Sequence, residues 1–391
     1  MPATSQSSVT VTGPTRAFVN SVVLLWARES AGFTAEDAAK KIGVKPERLI
    51  SAESGATYLT LRQAEVAAEL YGRPLATLFL PEPPSEPSAT TQYRQFPDVP
   101  PLPWPPSVAL LTRRIQQRQD DARELYELLE EPPPWIDSQF VVHEDATESA
   151  HSVRRALDIT VREQQSWRDR AGFKGLRQWV SGIEKLGIMV VQESTWPIEL
   201  FRGLASPDEI VPAIIIHTKD VPGARAFTLM HELGHVLRAQ EPAATRTHAE
   251  QWCNVFAAEV LMPREAFVMS YSVAMGDYGI LLEVADSLAL SYGVTAAAAA
   301  VRMGDLELIR GGEIAELRTA ISGRYQAQQE DSSTGGDYYR STVSRLSRGF
   351  AGLVFAALDA QMLTYPKAAA LLNVKVNNFA RLRDALGSGS V

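Results

Sequence analysis

Apolar residues recur at helical spacing from Phe18 to Leu80 in five short blocks: Val19/Val22/Val23/Trp26, Ala35/Ala38/Ala39/Ile42, Leu49/Ile50, Leu61/Ala64/Ala68 and Leu75/Leu78. These predict an all-α module. Thr34 is placed to cap the second helix with Asp37 at its third position, Gly43 to end it, and Pro46 to open the next helix where a first turn tolerates proline. Between Pro81 and Pro106 ten of 26 residues are proline, which blocks regular structure and predicts an extended spacer. Beyond it, Val108 to Leu129 reads as a charged helix, and Phe140 to Ser194 mixes helices with an apolar run at Ile188 to Gln192. The β-branched run Ile210 to His217, interrupted by Pro212, predicts a strand of a small sheet. Two helices follow, about Ala226 to Gln240 ended by Pro242 and about Thr247 to Leu261 ended by Pro263, with further helices over Tyr278 to Leu308. A polar Gly/Ser stretch, Gln326 to Asp337, reads as a second linker, and Tyr338 to Leu386 is helical again. No internal repeat stands out, although Tyr365 to Phe379 has a helix-turn-helix cadence loosely like the first module's.

The domain expectation is therefore a disordered N-terminus (1–16), a helical module (17–80), a proline-rich linker (81–106), a central α+β domain with flanking helices (107–325), a linker (326–337) and a C-terminal helical region (338–391). Composition narrows the class. A hydrophobic fraction of 45% and a charged fraction of 21% belong to a globular chain. The single cysteine, Cys253, makes no internal disulfide, and with no apolar signal core at the N-terminus the expected compartment is the cytoplasm. No apolar run approaches the ~20 residues of a membrane span, so no membrane partner is expected. The net charge of −8 excludes a whole-molecule electrostatic grip on nucleic acid and leaves only a local one.

The chemistry concentrates at His231-Glu232-Leu233-Gly234-His235. Histidines four apart on a helix project from one face and can share a zinc ion, while Glu232, offset by about 100°, is placed beside the metal as a general base. The pentapeptide also occurs by chance on ordinary helices, so a third ligand decides. A metzincin pattern fails, because its required positions are Arg238 and Glu241. Glu250 opens Glu-Gln-Trp-Cys-Asn, where Asn254 shares its helix face and could orient a ligand histidine, the logic of gluzincins. Glu259 falls half a turn away from Glu250 and would face elsewhere; His248 is a rival ligand. Cys253 reads either as a redox or zinc-capping group or as a packing residue. Oxyanion donors are open among His217, His248, Tyr271 and Tyr278, and the strand Ile210 to His217 could pair with an extended substrate at a sheet edge.

The stretches ARAFTLMHELGHVL (224–237) and EQWCNVFAAEVLMP (250–263), with RGLASPDEIVPAIIIH (202–217) upstream and LSYGVTAAAAAVRM (290–303) downstream, resemble the ImmA/IrrE family of bacterial and phage metallopeptidases. The resemblance implies Zn2+ on His231, His235 and Glu250 with Glu232 as base. Met230 and His217 depart from the family's usual alanine and asparagine. Leu24 to Pro81 resembles the XRE-type helix-turn-helix, in which Pro46 to Ser54 would read double-stranded DNA within residues 34–55, helped by Lys40, Lys41, Lys45 and Arg48. Residues 1–80 carry a net charge of only +1, so a protein-docking or homodimerising role stays open for that module.

Together these define a multidomain, mainly α chain with a small sheet and a gluzincin-like zincin domain. The leading expectation is a zinc endopeptidase that cleaves a repressor- or antitoxin-like partner, which relatives of this architecture often have encoded beside them. The alternatives are a non-proteolytic antitoxin or DNA-binding transcription regulator that binds a toxin partner and keeps a structural or vestigial metal site, and an accidental motif with no metal.

Overall fold

The structure, a computed structural model, describes residues 15–84, 105–134, 142–239, 248–328 and 338–387. Residues 1–14 of the expected disordered N-terminus, most of the proline-rich spacer, the helix stop at Pro242 and most of the 326–337 linker lie outside these residues, while Arg16, at the end of that N-terminal segment, pairs with Thr60 in a β-bridge. The chain divides into two compact units, one of the described residues up to 114 and one of those from 115 onward.

The first unit holds α1 (Ser21–Ser30), α2 (Ala35–Ile42), α3 (Pro46–Glu53), α4 (Leu61–Leu70) and a 3-10 turn at Leu75–Phe79. Local signals act where the sequence puts them. The Thr34 hydroxyl accepts the Asp37 N–H, Gly43 closes α2 in the left-handed region at φ 78°, and Pro46 opens α3. Thr60 and Gln63 add a reciprocal capping box on α4. Leu24, Ala27, Ala38, Leu49, Ala64 and Leu78 are fully buried at the centre, and Arg28 binds Glu53 at 2.7 Å to tie α1 to α3. Val22 and Ile50 share the apolar spacing but are 59% and 50% exposed. A two- to three-turn helix buries one stripe, and the period alone leaves its limits undefined.

The helix α5 (Pro106–Leu129) leads into the second unit, followed by α6 (Ala146–Ala156), α7 (Val161–Ser166) and α8 (Phe173–Lys185). Three strands come next, β1 (Met189–Glu193), β2 (Gly203–Ser206) and β3 (Ala213–His217), in the order β1-β3-β2, with β1 parallel and β2 antiparallel to β3. Every residue of β3 is buried. The strand expected from Ile210 begins only at Ala213: Asp208 Oδ1 accepts the Ile210 and Val211 N–H groups in a turn, and Pro212 has no N–H to give a ladder. The expectation that this strand could serve as an edge for substrate is overturned, because β3 is central and both its sides are taken. β1 is covered by helices of the C-terminal region, and β2 forms the other edge.

Two helices carry the histidines and carboxylates, α9 (Pro222–Leu237) and α10 (Ala249–Leu261), the most extensively packed helix pair in the molecule. Pro263 ends α10 and at once becomes the N-cap of a helix the apolar pattern does not announce, α11 (Arg264–Tyr278); Met269 and Val273 lie on its exposed side. Next come α12 (Leu281–Tyr292), α13 (Ala296–Asp305) and α14 (Gly311–Gln328), then α15 (Tyr338–Leu346), α16 (Arg348–Asp359), α17 (Tyr365–Leu372) and α18 (Phe379–Gly387). Partly buried Glu184 at the end of α8 accepts the Ser347 hydroxyl at 2.6 Å and the Arg348 N–H at 2.7 Å, capping α16 from a distant element. No single helix among the described residues is long and apolar enough to cross a membrane.

Candidate metal centre

The crossing of α9 and α10 depends on a glycine. A Cβ on Gly234 would stand 2.9 Å from the Cys253 sulfur, so the absent side chain lets the two helices approach. Cys253 is fully buried in that contact, which is the packing role and not an exposed redox position. Two residues on from Cys253's neighbour Trp252, Asn254 comes opposite His231. Glu259, on the far side of α10, is buried with Arg302 and accepts the Arg264 N–H at 2.9 Å, anchoring α10 away from the site.

On the near side three donor groups converge. His231 Nε2 and His235 Nε2 are 3.1 Å apart, and the Glu250 carboxylate oxygens lie 3.3 Å from the first and 3.2 Å from the second. These three residues are the group among the described residues able to hold a metal ion. A tetrahedral zinc bonded at about 2.0–2.1 Å sets neighbouring ligand atoms about 3.3–3.4 Å apart, close to this triangle. The donor chemistry fits as well: two imidazoles and one carboxylate leave one position for water or substrate.

The surroundings fix the donors in ligand form. His231 Nδ1 lies 3.0 Å from Asn254 Oδ1, so Nδ1–H donates to the amide oxygen and Nε2 is the ring nitrogen turned to Glu250. Burial opposes charge on His231, but its hydrogen bond with Glu250 and the field of Glu232 outweigh this and raise its pKa. Burial would raise Glu250 too, yet hydrogen bonds from His231 and His235 hold it down to about 2, keeping it a carboxylate. Glu232 is buried beside them, and desolvation raises its pKa against the pull of His235 and His231. One of its oxygens, Oε2, has no hydrogen-bond partner, while the carboxylate accepts the Ala205 N–H of β2. An orphaned buried carboxylate oxygen costs free energy of ~1–3 kcal/mol or more, and it is the feature a water-binding base needs.

The strand β2, which packs against α9 beside Glu232, is an element that reading the sequence missed. Arg202 O accepts the His217 N–H at 2.9 Å. The alternating residues Gly203 and Ala205 therefore turn their backbone groups away from β3. A Cβ at Gly203 would stand 2.4 Å from Thr228 Cγ2 and 2.9 Å from Glu232 Cγ, so only glycine fits. Its one sequence signal is a glycine within a run of small residues, Gly-Leu-Ala-Ser, ahead of an apolar strand.

Of the expected oxyanion donors, His217 and Tyr271 have hydrogen-bond partners of their own. His217 is fully buried, with Nε2 donating to Trp196 O at 3.0 Å and Nδ1 accepting the Lys219 N–H at 3.1 Å, so both ring nitrogens are engaged. The Tyr271 hydroxyl donates to Leu308 O at 3.3 Å, and Tyr278 is exposed in the last turn of α11. His248 is exposed at the N-cap of α10. In the first unit Lys40, Lys41, Lys45 and Arg48 are all exposed, along the last turn of α2 and the start of α3.

Two histidines one turn apart, joined by a carboxylate from the following helix, define a gluzincin-like, metallopeptidase-type centre. Family comparison agrees: residues 183–303 match the IrrE N-terminal-like domain, and residues 24–78 match a helix-turn-helix domain. The chain thus carries an ImmA/IrrE-type metallopeptidase domain preceded by an XRE-type helix-turn-helix. No curated protein and no solved structure matches it.

Proposed function

We propose that this chain is a zinc-dependent endopeptidase that cleaves a repressor- or antitoxin-like protein in the cytoplasm, brought to its target by the N-terminal helix-turn-helix. The observation that carries this reading is the His231, His235 and Glu250 triangle beside a buried Glu232 with one unpartnered oxygen. Zinc held by those three residues would supply Lewis acidity toward the scissile carbonyl and the attacking water. Glu232 accepts the proton of that water and returns it to the leaving amine, and its raised pKa matches an acid–base group that must both take and give a proton. Asn254 keeps His231 in the tautomer that presents Nε2. The outward backbone groups of Gly203 and the Ala205 carbonyl, the Ala205 N–H being held by Glu232, would offer an extended peptide a strand edge to pair with, holding the scissile bond near Glu232. Such pairing is indifferent to sequence, so side-chain selection must come from elsewhere.

Lys40, Lys41, Lys45 and Arg48 are the groups of the first module available to DNA phosphates, consistent with targeting to duplex DNA. The test is Glu232→Gln against wild type, with zinc content measured by elemental analysis and cleavage by mass spectrometry of a proteome-derived peptide library. Zinc content should be unchanged and cleavage should fall by ~10²–10⁴-fold. Equal cleavage by the variant, or none by wild type loaded with zinc, would favour the regulator that binds a toxin partner and keeps a structural metal.

A further inference from the structure

The C-terminal helices α17 and α18 follow the pattern of α2 and α3, with a 3-10 turn at Val376–Asn378 where α3 has its first turn. Thr34 caps α2 by accepting the N–H three residues on, and Thr364 caps α17 in the same way through Lys367. Both helices have eight residues and end on a left-handed residue, Gly43 at φ 78° and Asn373 at φ 49°. Val-Lys follows each turn, as Val44-Lys45 and Val374-Lys375. Buried positions coincide: Ala38 and Ile42 correspond to Ala368 and Leu372, and Leu49 and Ala52 to Phe379 and Leu382. The ion pair that ties the reading helix to the helix preceding the motif, α1 in the first and α16 in the second, is present with its charges exchanged. Arg28 binds Glu53 in the first motif, and Asp359 binds Arg383 through both oxygens in the second, with Glu53 and Arg383 each nineteen residues after the capping threonine. A sequence cadence that looked like a loose echo is a second helix-turn-helix in three dimensions.

The two motifs differ on their outward faces, and the difference is one of charge. Glu36, Asp37, Glu47 and Ser51 of the first are replaced by Pro366, Lys367, Asn377 and Arg381 in the second. Residues 34–54 are therefore neutral overall, whereas residues 364–384 carry +3, and the whole region 338–387 carries +5 in a chain of net −8. Lys367 lies in the field of Asp121 on α5, which removes it from the argument. Lys375, Asn377 and Arg381 are exposed, and Arg381 is steadied by donating to the Tyr339 hydroxyl at 3.2 Å. Lys375 is the N-cap of a 3-10 turn, Val376–Asn378, that carries Asn377 and leads directly into α18, which carries Arg381; an asparagine, an arginine and a lysine exposed at the start of such a helix are side chains that address base edges and phosphates.

We propose that residues 364–384 form a second DNA-binding helix-turn-helix, with Lys375 on the phosphate backbone and Asn377 and Arg381 in the major groove. Such a motif would place a contact to duplex DNA on the peptidase-bearing unit itself. The inference is independent of catalysis, since Glu232→Gln should bind DNA as wild type does.

Fluorescence anisotropy of the full-length protein on a labelled mixed-sequence duplex, titrated between ~50 and ~200 mM salt, tests it. Lys375→Ala/Arg381→Ala should weaken binding about tenfold or more at the low-salt end and reduce the log–log salt slope by about 1, the share of the one phosphate contact removed. Because Arg381 also contacts Tyr339, the second variant is Lys375→Glu/Asn377→Asp at two exposed positions; circular dichroism should be unchanged and binding should again fall at least tenfold. Lys45→Ala/Arg48→Ala reports separately on the first motif. Wild-type affinity in both C-terminal variants overturns the proposal, as does a wild-type protein that fails to bind duplex DNA. Unchanged DNA binding with a changed sedimentation mass would overturn it too, assigning the face to contact between protein copies.

Discussion

The Asn254 side-chain oxygen lies 3.0 Å from His231 Nδ1, one helix reaching across to set the tautomer of a histidine on another. Removing that acceptor frees the imidazole to rotate and to carry its proton on the nitrogen that should face the metal. Asn254→Ala should weaken zinc binding by ~10–100-fold, measured by competition with a chromophoric chelator. Asn254→Asp keeps an acceptor and should retain affinity; equal loss in both variants would mean that the amide serves packing alone.

Gly234 and Cys253 form a coupled pair at the helix crossing. Gly234→Ala puts a Cβ 2.9 Å from the cysteine sulfur, and overpacking of this kind costs ~1–3 kcal/mol. The cost should show as a lower urea midpoint, and Cys253→Ala on the same background should recover part of it. Purely additive effects would contradict the contact.

Gly203 marks a close approach of β2 to the Glu232 side chain. With Thr228 at 2.4 Å and Glu232 at 2.9 Å from its Cβ position, Gly203→Ala must push Glu232 or the strand aside. Peptide cleavage should fall more than tenfold while zinc content holds, because a displacement of about 1 Å in a catalytic group can cost ~10²-fold. Full activity in this variant would detach β2 from substrate binding.

Glu184 supplies a pH signature remote from the metal. Burial pushes its carboxyl up to about 7, against the hydrogen bonds from Ser347 and Arg348. The folded state therefore holds a proton that the unfolded chain releases near its ordinary value of 4.5. This group's contribution is full below that value and is lost as pH rises through about 7, a change on the order of 3 kcal/mol. Comparing urea unfolding of wild type and Glu184→Gln from acid to neutral pH isolates it. The variant's stability should lack this decline, and parallel curves would refute the assignment.

Much of the molecule was legible in its sequence because the relevant signals are local. Caps at Thr34, Gly43 and Pro46 act within one helical turn, and the pairing of His231 with His235 follows from the pitch of a single helix. Helical spacing also separated Glu250 from Glu259, which the structure puts on opposite sides of α10, one with the histidines and one with Arg302. Tertiary structure alone decided which strand is an edge. Ile210 to His217 is the most strand-like run in the chain, and that apolar character is what the middle of a sheet demands, leaving the edge to the small residues of β2. It likewise committed both nitrogens of His217, turned Tyr271 toward Leu308, and brought Glu184 to the start of α16. Each of these depends on contacts between residues far apart in the chain, set by packing that no local periodicity encodes.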